Sequence, residues 1–415
     1  MPTSRGRVTR AMGAIAVVAA VAAPGALAAP AVAGPADQVP TEVYDPWLWQ
    51  ATVEQRPTGP ATMLFFTART RYLESTGVLV GRDGGYRLLP LHIGEDPGRL
   101  SPDGRHYLHA GTGVLLDVTS GDVRRDVRPG VRPLAWSPGG LLGTRNNDDA
   151  VITYGPDNQP LNDPSKPDDL LVVDPYTGAE RIVPAGTFAS YTAAAWSADG
   201  TLIAAAGPPT PADQLAQRER LVVTDSAGAP RWQVDLGDRR VLAGRAAWSP
   251  DGRRIALLGH DGCAADCRDD AQLAARSWRI EYLDAATGRP TGAPVPLDGW
   301  PAEVVGWRGA DPVLSWQHAA NGSGEARRDV LAVVSPDGGR QVLLTAPQGT
   351  SGVELPHDLL ARAAFGGPAP HPSPFAAPLW IYALLALPPL LLAALLRRRR
   401  RRSRAAAPPA STPPA

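Results

Sequence analysis

Cysteine is scarce in this 415-residue chain, which excludes a fold held together mainly by disulfides. Only two cysteines are present, Cys263 and Cys267, so a disulfide framework cannot stand in for a hydrophobic core. Lys166 is the single lysine, and every other basic residue is an arginine. The chain also holds 44 prolines and 43 glycines, a level that suits a folded protein made of many turns.

Acidic residues are missing from both ends, although the formal net charge of the whole chain is zero. None occurs before Asp37 or after Asp358, whereas ten arginines lie in two terminal segments, residues 5–10 and 397–404. The stretch between those segments therefore carries 31 basic and 41 acidic residues, a net charge of −10. An acidic body argues against nucleic acid as a partner, and basic ends indicate termini that meet a membrane.

Short catalytic motifs are absent as well. The sequence has no G-x-S-x-G, H-E-x-x-H or G-x-x-x-x-G-K-[ST] string, and no G-x-G-x-x-G between a strand and a helix. Among the seven histidines only His106 and His109 have a close spacing, and on a strand that odd spacing places them on opposite faces. We therefore predict no catalytic residue, no cofactor and no metal site.

The N-terminus has the three parts of a secretory signal. Arg5, Arg7 and Arg10 form a charged region, and the apolar run that follows is too short to span a membrane comfortably. Small residues suited to signal peptidase come next, as Ala-Leu-Ala at 26–28 and Ala-Val-Ala at 31–33. We predict a signal peptide over residues 1–33, with an uncleaved N-terminal anchor as the alternative.

Near the other end, the segment Leu379–Leu396 has 18 residues without a charged side chain, enough for about 27 Å of helix. Trp380 and Tyr382 lie where an outer aromatic belt belongs, and a six-arginine block that begins with Arg397, Arg398, Arg399 and Arg400 follows at once. This arrangement predicts a single-pass type I protein of the cell membrane, with a transmembrane helix over 379–396. Residues 397–415 should be a basic, disordered cytoplasmic tail whose arginines attract anionic lipid.

One pattern recurs through the middle of the chain: two small or apolar residues, a tryptophan and a tight turn. In Ser-Pro-Asp-Gly the proline fixes φ, the aspartate bonds its own backbone and the glycine accepts a positive φ, so each copy predicts a hairpin turn. We interpret the tryptophans as wedges between repeats and the glycines as turn residues. The positions concerned are Trp136, Trp196, Trp248, Trp307, Gly104, Gly200 and Gly252.

A second pattern alternates with the first: an apolar strand, a glycine-containing turn and another strand. It occurs six times, beginning at Val78, Val114, Leu170, Arg220, Ile280 and Val330. Together the two patterns give four short strands in roughly 50 residues, which is the size of one blade of a β-propeller. We predict an all-β propeller of six blades, with seven as the alternative, built from four-stranded antiparallel sheets.

These turns and the outer Asp-x-x-Thr-Gly hairpins resemble WD-repeat-like propellers of the TolB type. With the excess of arginine and alanine, the layout resembles the membrane-anchored propeller proteins of high-GC actinobacteria. The resemblance covers roughly residues 60–346 and implies a fold rather than an activity. Prolyl oligopeptidases carry similar propellers, but the α/β-hydrolase domain of those enzymes has no room here before the apolar segment.

The predicted domains follow from these patterns. Residues 34–59 form an N-terminal segment, 60–365 the propeller and 366–378 a linker rich in proline and alanine. A strand within Val43–Val53 should close the ring by pairing with a strand near Val353–Phe365, so that no sheet edge stays open. The stretch from Ala363 to Pro378 should act as a stalk that holds the propeller above the lipid.

Two insertions carry candidate ligands. Outside the cytoplasm Cys263 and Cys267 should form a local disulfide, with a zinc site that adds His260 or a pair of free thiols as the alternatives. The segment Asn146–Asp169 is rich in oxygen ligands that calcium could use, but it lacks EF-hand spacing, so we interpret it as a solvated loop.

The function is inferred here from the predicted location and the predicted fold. We expect a non-catalytic binding or scaffold module at the outer face of the cytoplasmic membrane, with a protein partner that the sequence does not name. The alternatives are a propeller that binds a polysaccharide or small ligand, or an enzyme of lyase or quinoprotein type with its site in the central channel.

Overall fold

The computed structural model describes residues 38–47, 49–67, 76–89, 98–125, 127–137, 140–145, 153–154, 160–161, 167–186, 188–318 and 328–405. The predicted signal peptide, most of the Asn146–Asp169 segment and residues 406–415 lie outside these ranges. Within the described residues, β-strands form six four-stranded antiparallel sheets. Each sheet is one blade, so the six-bladed propeller predicted from the repeats is confirmed.

Blades 2 to 6 follow one another along the chain, and in each the strand order is the sequence order. Blade 2 consists of β5 (Arg99–Leu100), β6 (His106–Leu108), β7 (Leu115–Asp117) and β8 (Val123–Arg124). Blade 3 consists of β9 (Val131–Ser137), β10 (Gly140–Arg145), β13 (Asp169–Val173) and β14 (Glu180–Ile182). A separate pair, β11 (Thr153–Tyr154) and β12 (Pro160–Leu161), lies in the insertion between β10 and β13.

The next three blades repeat the same plan. Blade 4 consists of β15 (Ala193–Trp196), β16 (Leu202–Gly207), β17 (Glu219–Asp225) and β18 (Pro230–Gly237). Blade 5 consists of β19 (Arg240–Leu242), β20 (Arg254–Asp261), β21 (Ser277–Asp284) and β22 (Val295–Leu297). Blade 6 consists of β23 (Pro301–Arg308), β24 (Asp311–His318), β25 (Arg328–Val334) and β26 (Arg340–Thr345). Short helices α1 (Pro211–Leu215) and α2 (Asp270–Ala274) lie in insertions of blades 4 and 5.

Blade 1 closes the ring, because its strands come from both ends of the propeller. Its innermost strand is β27 (Thr350–Glu354), which pairs with β2 (Ala61–Thr67). The outer positions are taken by β3 (Thr76–Gly81) and β4 (Tyr86–Leu88). Blade 1 lacks the repeated Ser-Pro-Asp-Gly turn between its first two strands because those strands are not consecutive in the chain.

The predicted closing strand within Val43–Val53 was wrong. That stretch contains Pro46, which has no backbone N–H to give to a ladder, and it lies instead along the outer edge of β4. There the backbone N–H of Val53 donates to the Leu88 carbonyl at 3.0 Å. A shorter N-terminal strand, β1 (Gln38–Pro40), pairs in parallel with β28 (Ala364–Gly367), outside the six blades.

Apolar contacts between blades hold the ring together. The two middle strands of each sheet are largely apolar, and their apolar side chains are buried on both faces of the sheet. The resulting clusters join blade 1 to blade 2, blade 2 to blade 3, blade 3 to blade 4, blades 4 to 6 in one continuous group, and blade 6 back to blade 1. Helix α3 (His357–Arg362) adds Leu359 and Leu360 to the last of these clusters.

The repeated turns are built by hydrogen bonds within the motif. In blade 5 the Ser249 hydroxyl donates to Asp251 Oδ1 at 2.6 Å and accepts from the backbone N–H of Arg254 at 3.0 Å. Equivalent bonds occur at Ser101 in blade 2 and Ser197 in blade 4. The turn glycines have positive φ, with values of 72° at Gly104, 69° at Gly200 and 69° at Gly252.

The repeat tryptophans lie near the ends of the inner strands and contact the clusters between blades. Trp248 and Trp307 are buried in the group shared by blades 4 to 6, and Trp196 in the cluster shared by blades 3 and 4. Trp136 is partly buried against the cluster between blades 2 and 3. The indole N–H of Trp307 donates to the Ala246 carbonyl at 2.7 Å, a bond that joins blade 6 to blade 5.

The C-terminal helix α4 runs over Leu379–Ala405 and contains Pro388 and Pro389. Its stretch Trp380–Arg398 is long and apolar enough to cross a membrane, and none of that stretch is buried against the propeller. The helix continues through the arginine block, whereas we predicted disorder from residue 397. Arginine has a high helix propensity, so a helix that has already started is extended at little cost.

Candidate functional site

A cavity of about 440 Å³ lies on the propeller axis, where the inner strands of all six blades converge. Each blade supplies at least one lining residue, among them Gly352, Arg99, Leu134, Thr192, Arg245 and Glu303. Because these residues come from distant parts of the sequence, no short motif identifies the cavity. We call it the channel site.

Two ion pairs cross between neighbouring blades at this site. Arg245 of blade 5 donates from Nη1 to Glu303 Oε1 of blade 6. Arg99 of blade 2 lies 3.9 Å from Glu354 Oε2 of blade 1, measured from its Nη1. The other oxygen of Glu354 accepts from the backbone N–H of Leu100 at 3.0 Å. The pairs join blades at the innermost layer, where side chains from opposite sides of the ring approach each other.

Glu354 is buried next to these arginines, and burial raises the pKa of its carboxyl. The positive charges of Arg245 and Arg99 act in the opposite direction and favour the ionised form, while Glu303 adds to the rise. Burial is the largest of these effects, because removing a carboxylate from water disfavours its charge. Beside the channel site, against Arg99, there is thus a carboxyl group that takes up a proton more readily than one in water.

Glu219, the first residue of β17, is the second perturbed carboxyl. Burial raises its pKa to about 7, and a hydrogen bond with Thr192 reduces the rise. Its Oε2 atom is buried and has no hydrogen-bond partner among the described residues. A carboxyl group with one unsatisfied buried oxygen and a pKa near neutrality can accept a hydrogen bond from a ligand that enters the channel.

The charges of the channel site are unequal in number. The lining carboxylates are Glu219, Glu303 and Asp329, and the last of these accepts from the backbone N–H of Gly352. Only two arginines, Arg99 and Arg245, oppose them. A site with more carboxylates than guanidinium groups suits a ligand that brings positive charge and N–H donors. Among the described residues, no group of three His, Cys, Asp or Glu side chains is arranged to hold a metal ion.

A second, more open pocket of about 570 Å³ lies between blades 2 and 3. Its lining includes Arg125, Arg128, Arg145 and Glu180. Arg145 Nη2 lies 2.6 Å from Glu180 Oε2, so part of the positive charge is neutralised within the pocket. Sequence reasoning did not single out these arginines, because Arg125 and Arg128 lie between β8 and β9 whereas Arg145 is the last residue of β10.

The two cysteines form a disulfide that closes a five-residue loop, Cys263–Cys267, in the insertion of blade 5. Both sulfurs are used in this bond and are therefore unavailable to the zinc site weighed above. His260 does not join them but packs against Trp278, with ring centroids 5.0 Å apart. The other pair, His106 and His109, is also separate: His106 contacts Tyr176, and His109 lies beside Thr112.

The segment before the apolar helix is docked on the propeller, so the stalk predicted for residues 363–378 was wrong. The backbone N–H of Ala51 donates to the Ala376 carbonyl at 2.8 Å, and the Tyr86 hydroxyl donates to the Pro370 carbonyl at 2.8 Å. Tyr44 and His371 stack with ring centroids 4.6 Å apart. A proline-rich sequence is stiff and rich in free carbonyls, and here donors of the N-terminal segment and of β4 bind those carbonyls.

Trp380 and Tyr382 are exposed in the first turn of α4, and Arg397–Arg400 lie on the same helix beyond the apolar stretch. The hydroxyl of Tyr382 donates back to the Phe375 carbonyl, which fixes the start of the helix to the docked segment.

No family model matches the chain, and no curated protein matches it. Solved structures do match. TolB from Acinetobacter baumannii is 14% identical with a TM-score of 0.46, and the match covers 71% of this chain and 66% of the TolB chain. The β-propeller domain of the Trilobed protease from Pyrococcus furiosus is 11% identical with a TM-score of 0.34, over 69% of this chain and 71% of that one. Hydrazine synthase of Kuenenia stuttgartiensis also matches, at 14% identity and a TM-score of 0.36, over 59% of this chain and 79% of that one.

Proposed function

We propose that this protein is an exported, single-pass membrane protein whose propeller is a non-catalytic binding module at the outer face of the cytoplasmic membrane. The observation that carries the proposal is the docked C-terminal segment, which leads directly from blade 1 into an exposed apolar helix. The arginine block after the apolar stretch sets the orientation, because basic residues next to a span stay in the cytoplasm. The propeller then lies on the opposite side, where the Cys263–Cys267 disulfide is stable.

The orientation can be tested with single-cysteine variants of the full-length protein, because its own cysteines are paired. Ala227→Cys places a thiol in an exposed turn of blade 4, and Ser403→Cys places one beyond the arginine block. In intact cells a membrane-impermeant maleimide should label the first variant and should reach the second only after permeabilisation. Labelling of Ser403→Cys alone in intact cells would reverse the topology.

Partner binding requires a separate test. The full-length protein can be cross-linked in its native membrane, purified in mild detergent and examined by mass spectrometry. A partner present in stoichiometric amount supports a scaffold role. Recovery of the propeller alone under the same conditions counts against a stable protein partner and leaves a soluble ligand as the candidate.

The channel site favours a second candidate function, the binding of a small cationic ligand. The excess of carboxylates, with the unsatisfied Oε2 of Glu219 among them, is the observation behind it. Spermidine serves as a probe in calorimetric titrations of the purified full-length protein at pH 8, where Glu219 is ionised. Loss of one charge-assisted hydrogen bond in Glu219→Gln should weaken binding about tenfold.

Asp235→Asn is the matched control for that titration. It removes an exposed carboxylate from the same blade, outside the channel, where the side chain pairs with Arg220 at 2.8 Å. Binding of spermidine should be unchanged in this variant. Equal weakening by the two substitutions would indicate attraction to the overall negative charge rather than to the channel site.

A further inference from the structure

Three aromatic side chains of the propeller are exposed close to the start of the apolar helix. Trp47 and Trp49 belong to the N-terminal segment and are 42% and 41% exposed, and Phe375 of the docked segment is 76% exposed. The two indole rings stack with centroids 5.2 Å apart. We call these three residues the aromatic patch. Exposed tryptophans in contact with each other indicate a surface that a membrane or a protein partner covers.

The polar atoms of the patch are already satisfied within the protein. The indole N–H of Trp47 donates to the Pro372 carbonyl at 3.0 Å, and that of Trp49 donates to the Pro374 carbonyl at 3.0 Å. The part of each indole ring that remains exposed is apolar. Such rings can enter an apolar or interfacial environment without leaving a donor unpaired, which is the costly part of burying tryptophan.

The patch is held at the level of the predicted aromatic belt. Leu379, the first residue of α4, lies only four positions after Phe375, which limits their distance to about 14 Å even when the chain is extended. The actual distance is shorter than this limit, because the Tyr382 hydroxyl in the first turn of the helix donates to the Phe375 carbonyl. The carbonyls that bind Trp47 and Trp49 belong to residues three and one positions before Phe375, respectively.

We propose that the aromatic patch lies in the headgroup region of the same bilayer that α4 spans, so that the propeller rests on the lipid with the outer edge of blade 1 facing the membrane. The inference rests on the proposed membrane anchor. It extends the belt of Trp380 and Tyr382 to Phe375 and to two tryptophans, Trp47 and Trp49, that lie more than 300 positions earlier in the sequence. Interfacial tryptophan and phenylalanine favour this depth because their rings are amphipathic or apolar.

A consequence is that the propeller has a fixed orientation. Blade 1 carries the docked segment on the outer edge of β4, through the bonds of Ala51 and Tyr86. If that edge faces the lipid, blade 4, on the opposite side of the six-membered ring, points away from the membrane. Partners in the space outside the membrane would then meet the outer edges of blades 3 to 5 first.

The experiment uses full-length single-cysteine variants, labelled with a polarity-sensitive fluorophore and reconstituted into phosphatidylcholine vesicles with or without nitroxide lipids. Ser373→Cys places the probe inside the docked segment, between the two carbonyls that bind the tryptophans. It keeps all three patch side chains and removes only the 3.3 Å bond from the Phe375 backbone N–H to the Ser373 hydroxyl. Ala227→Cys is the control on blade 4, and Leu391→Cys reports on the span itself. Circular dichroism and thermal unfolding confirm that each labelled variant retains the fold.

A nitroxide at the lipid headgroup should remove most of the fluorescence of the Ser373 probe and leave that of the Ala227 probe unchanged. The effect should persist at high salt, because contact of apolar rings with lipid is not screened. Replacing Trp47 and Trp49 together by alanine should reduce the quenching at Ser373.

The Leu391 probe separates failure of this inference from failure of the anchor. Quenching of Leu391 by a nitroxide in the acyl chain, with no quenching of Ser373 by the headgroup nitroxide, would overturn the inference and leave the anchor in place. Absence of quenching at Leu391 would overturn both.

Discussion

The burial of Glu219 in the channel has a measurable effect on stability, which the substitution Glu219→Gln exposes. In the folded protein burial raises the pKa of this carboxyl from its ordinary value of 4.5 to about 7. A raised carboxyl pKa means that the folded state binds the proton more tightly than the unfolded state. Glu219 therefore favours folding at low pH, and this contribution is lost as pH rises from about 4.5 to about 7.

The size of the effect follows from the shift. Each pKa unit corresponds to about 1.4 kcal/mol, so the ionised side chain costs roughly 3 kcal/mol of the free energy of unfolding above pH 7. Glutamine has nearly the same shape and carries no charge. Glu219→Gln should thus be more stable than the parent at pH 8.5, by up to about 3 kcal/mol, which for a domain of this size is an increase of about 5 °C in Tm.

The assay is thermal unfolding of the purified full-length protein at pH 5 and pH 8.5, with Glu42→Gln as a control at an exposed glutamate. Other groups titrate in this range, so the informative quantity is the difference between variant and parent at each pH. That difference should be below about 1 kcal/mol at pH 5 and reach up to about 3 kcal/mol at pH 8.5. An equal difference at the two pH values, or a variant less stable at pH 8.5, would refute the reasoning.

Three further predictions concern the fold. Trp307→Phe removes the bond from the indole N–H to the Ala246 carbonyl and leaves a small cavity between blades 5 and 6, which should lower the free energy of unfolding by about 1–3 kcal/mol in chemical denaturation; an unchanged midpoint would contradict this role. Gly104→Ala should destabilise more than Gly252→Ala in the same assay: both have positive φ, but only at Gly104 would a Cβ meet the Ala61 carbonyl, at 2.6 Å, whereas at Gly252 it meets nothing within 4 Å. Equal losses would show that backbone conformation alone matters. Replacing Cys263 and Cys267 together by serine should cost at most about 2 kcal/mol, because the closed loop is short; complete loss of folding would contradict a local role.

Much of the fold could be predicted because its repeats carry local chemistry. Ser249, Asp251 and Gly252 form one turn among themselves, so a few adjacent letters determine a hairpin wherever the motif occurs. The six outer hairpins follow from similar local signals. Counting them gave the number of blades without any knowledge of long-range contacts.

Closure could not be predicted in the same way. It depends on which of several short apolar stretches reaches the innermost position of blade 1, and that choice is made by packing against blades 2 and 6 rather than by local sequence. The docked segment is a similar case. Its prolines indicate a stiff linker, and only the three-dimensional structure shows donors of Ala51, Tyr86 and the two tryptophans next to their carbonyls.

The channel site was beyond sequence reasoning for a geometric reason. Arg99 and Glu354 lie 255 positions apart. Nothing in the local sequence distinguishes either of them from the many other charged residues of the chain. They are close in space because the innermost strands of all six blades surround the same axis. The signal that could have found them is register: a charged residue on the first strand of a blade points to the channel when the repeat boundaries are known.

The most direct test of the account is a cryo-electron microscopy reconstruction of the full-length protein in lipid nanodiscs. The account predicts a six-bladed ring closed by Thr350–Glu354, with the outer edge of blade 1 against the disc and α4 within it. A propeller separated from the disc by an extended Pro/Ala-rich stalk, or a disc that contacts any other blade, would contradict it.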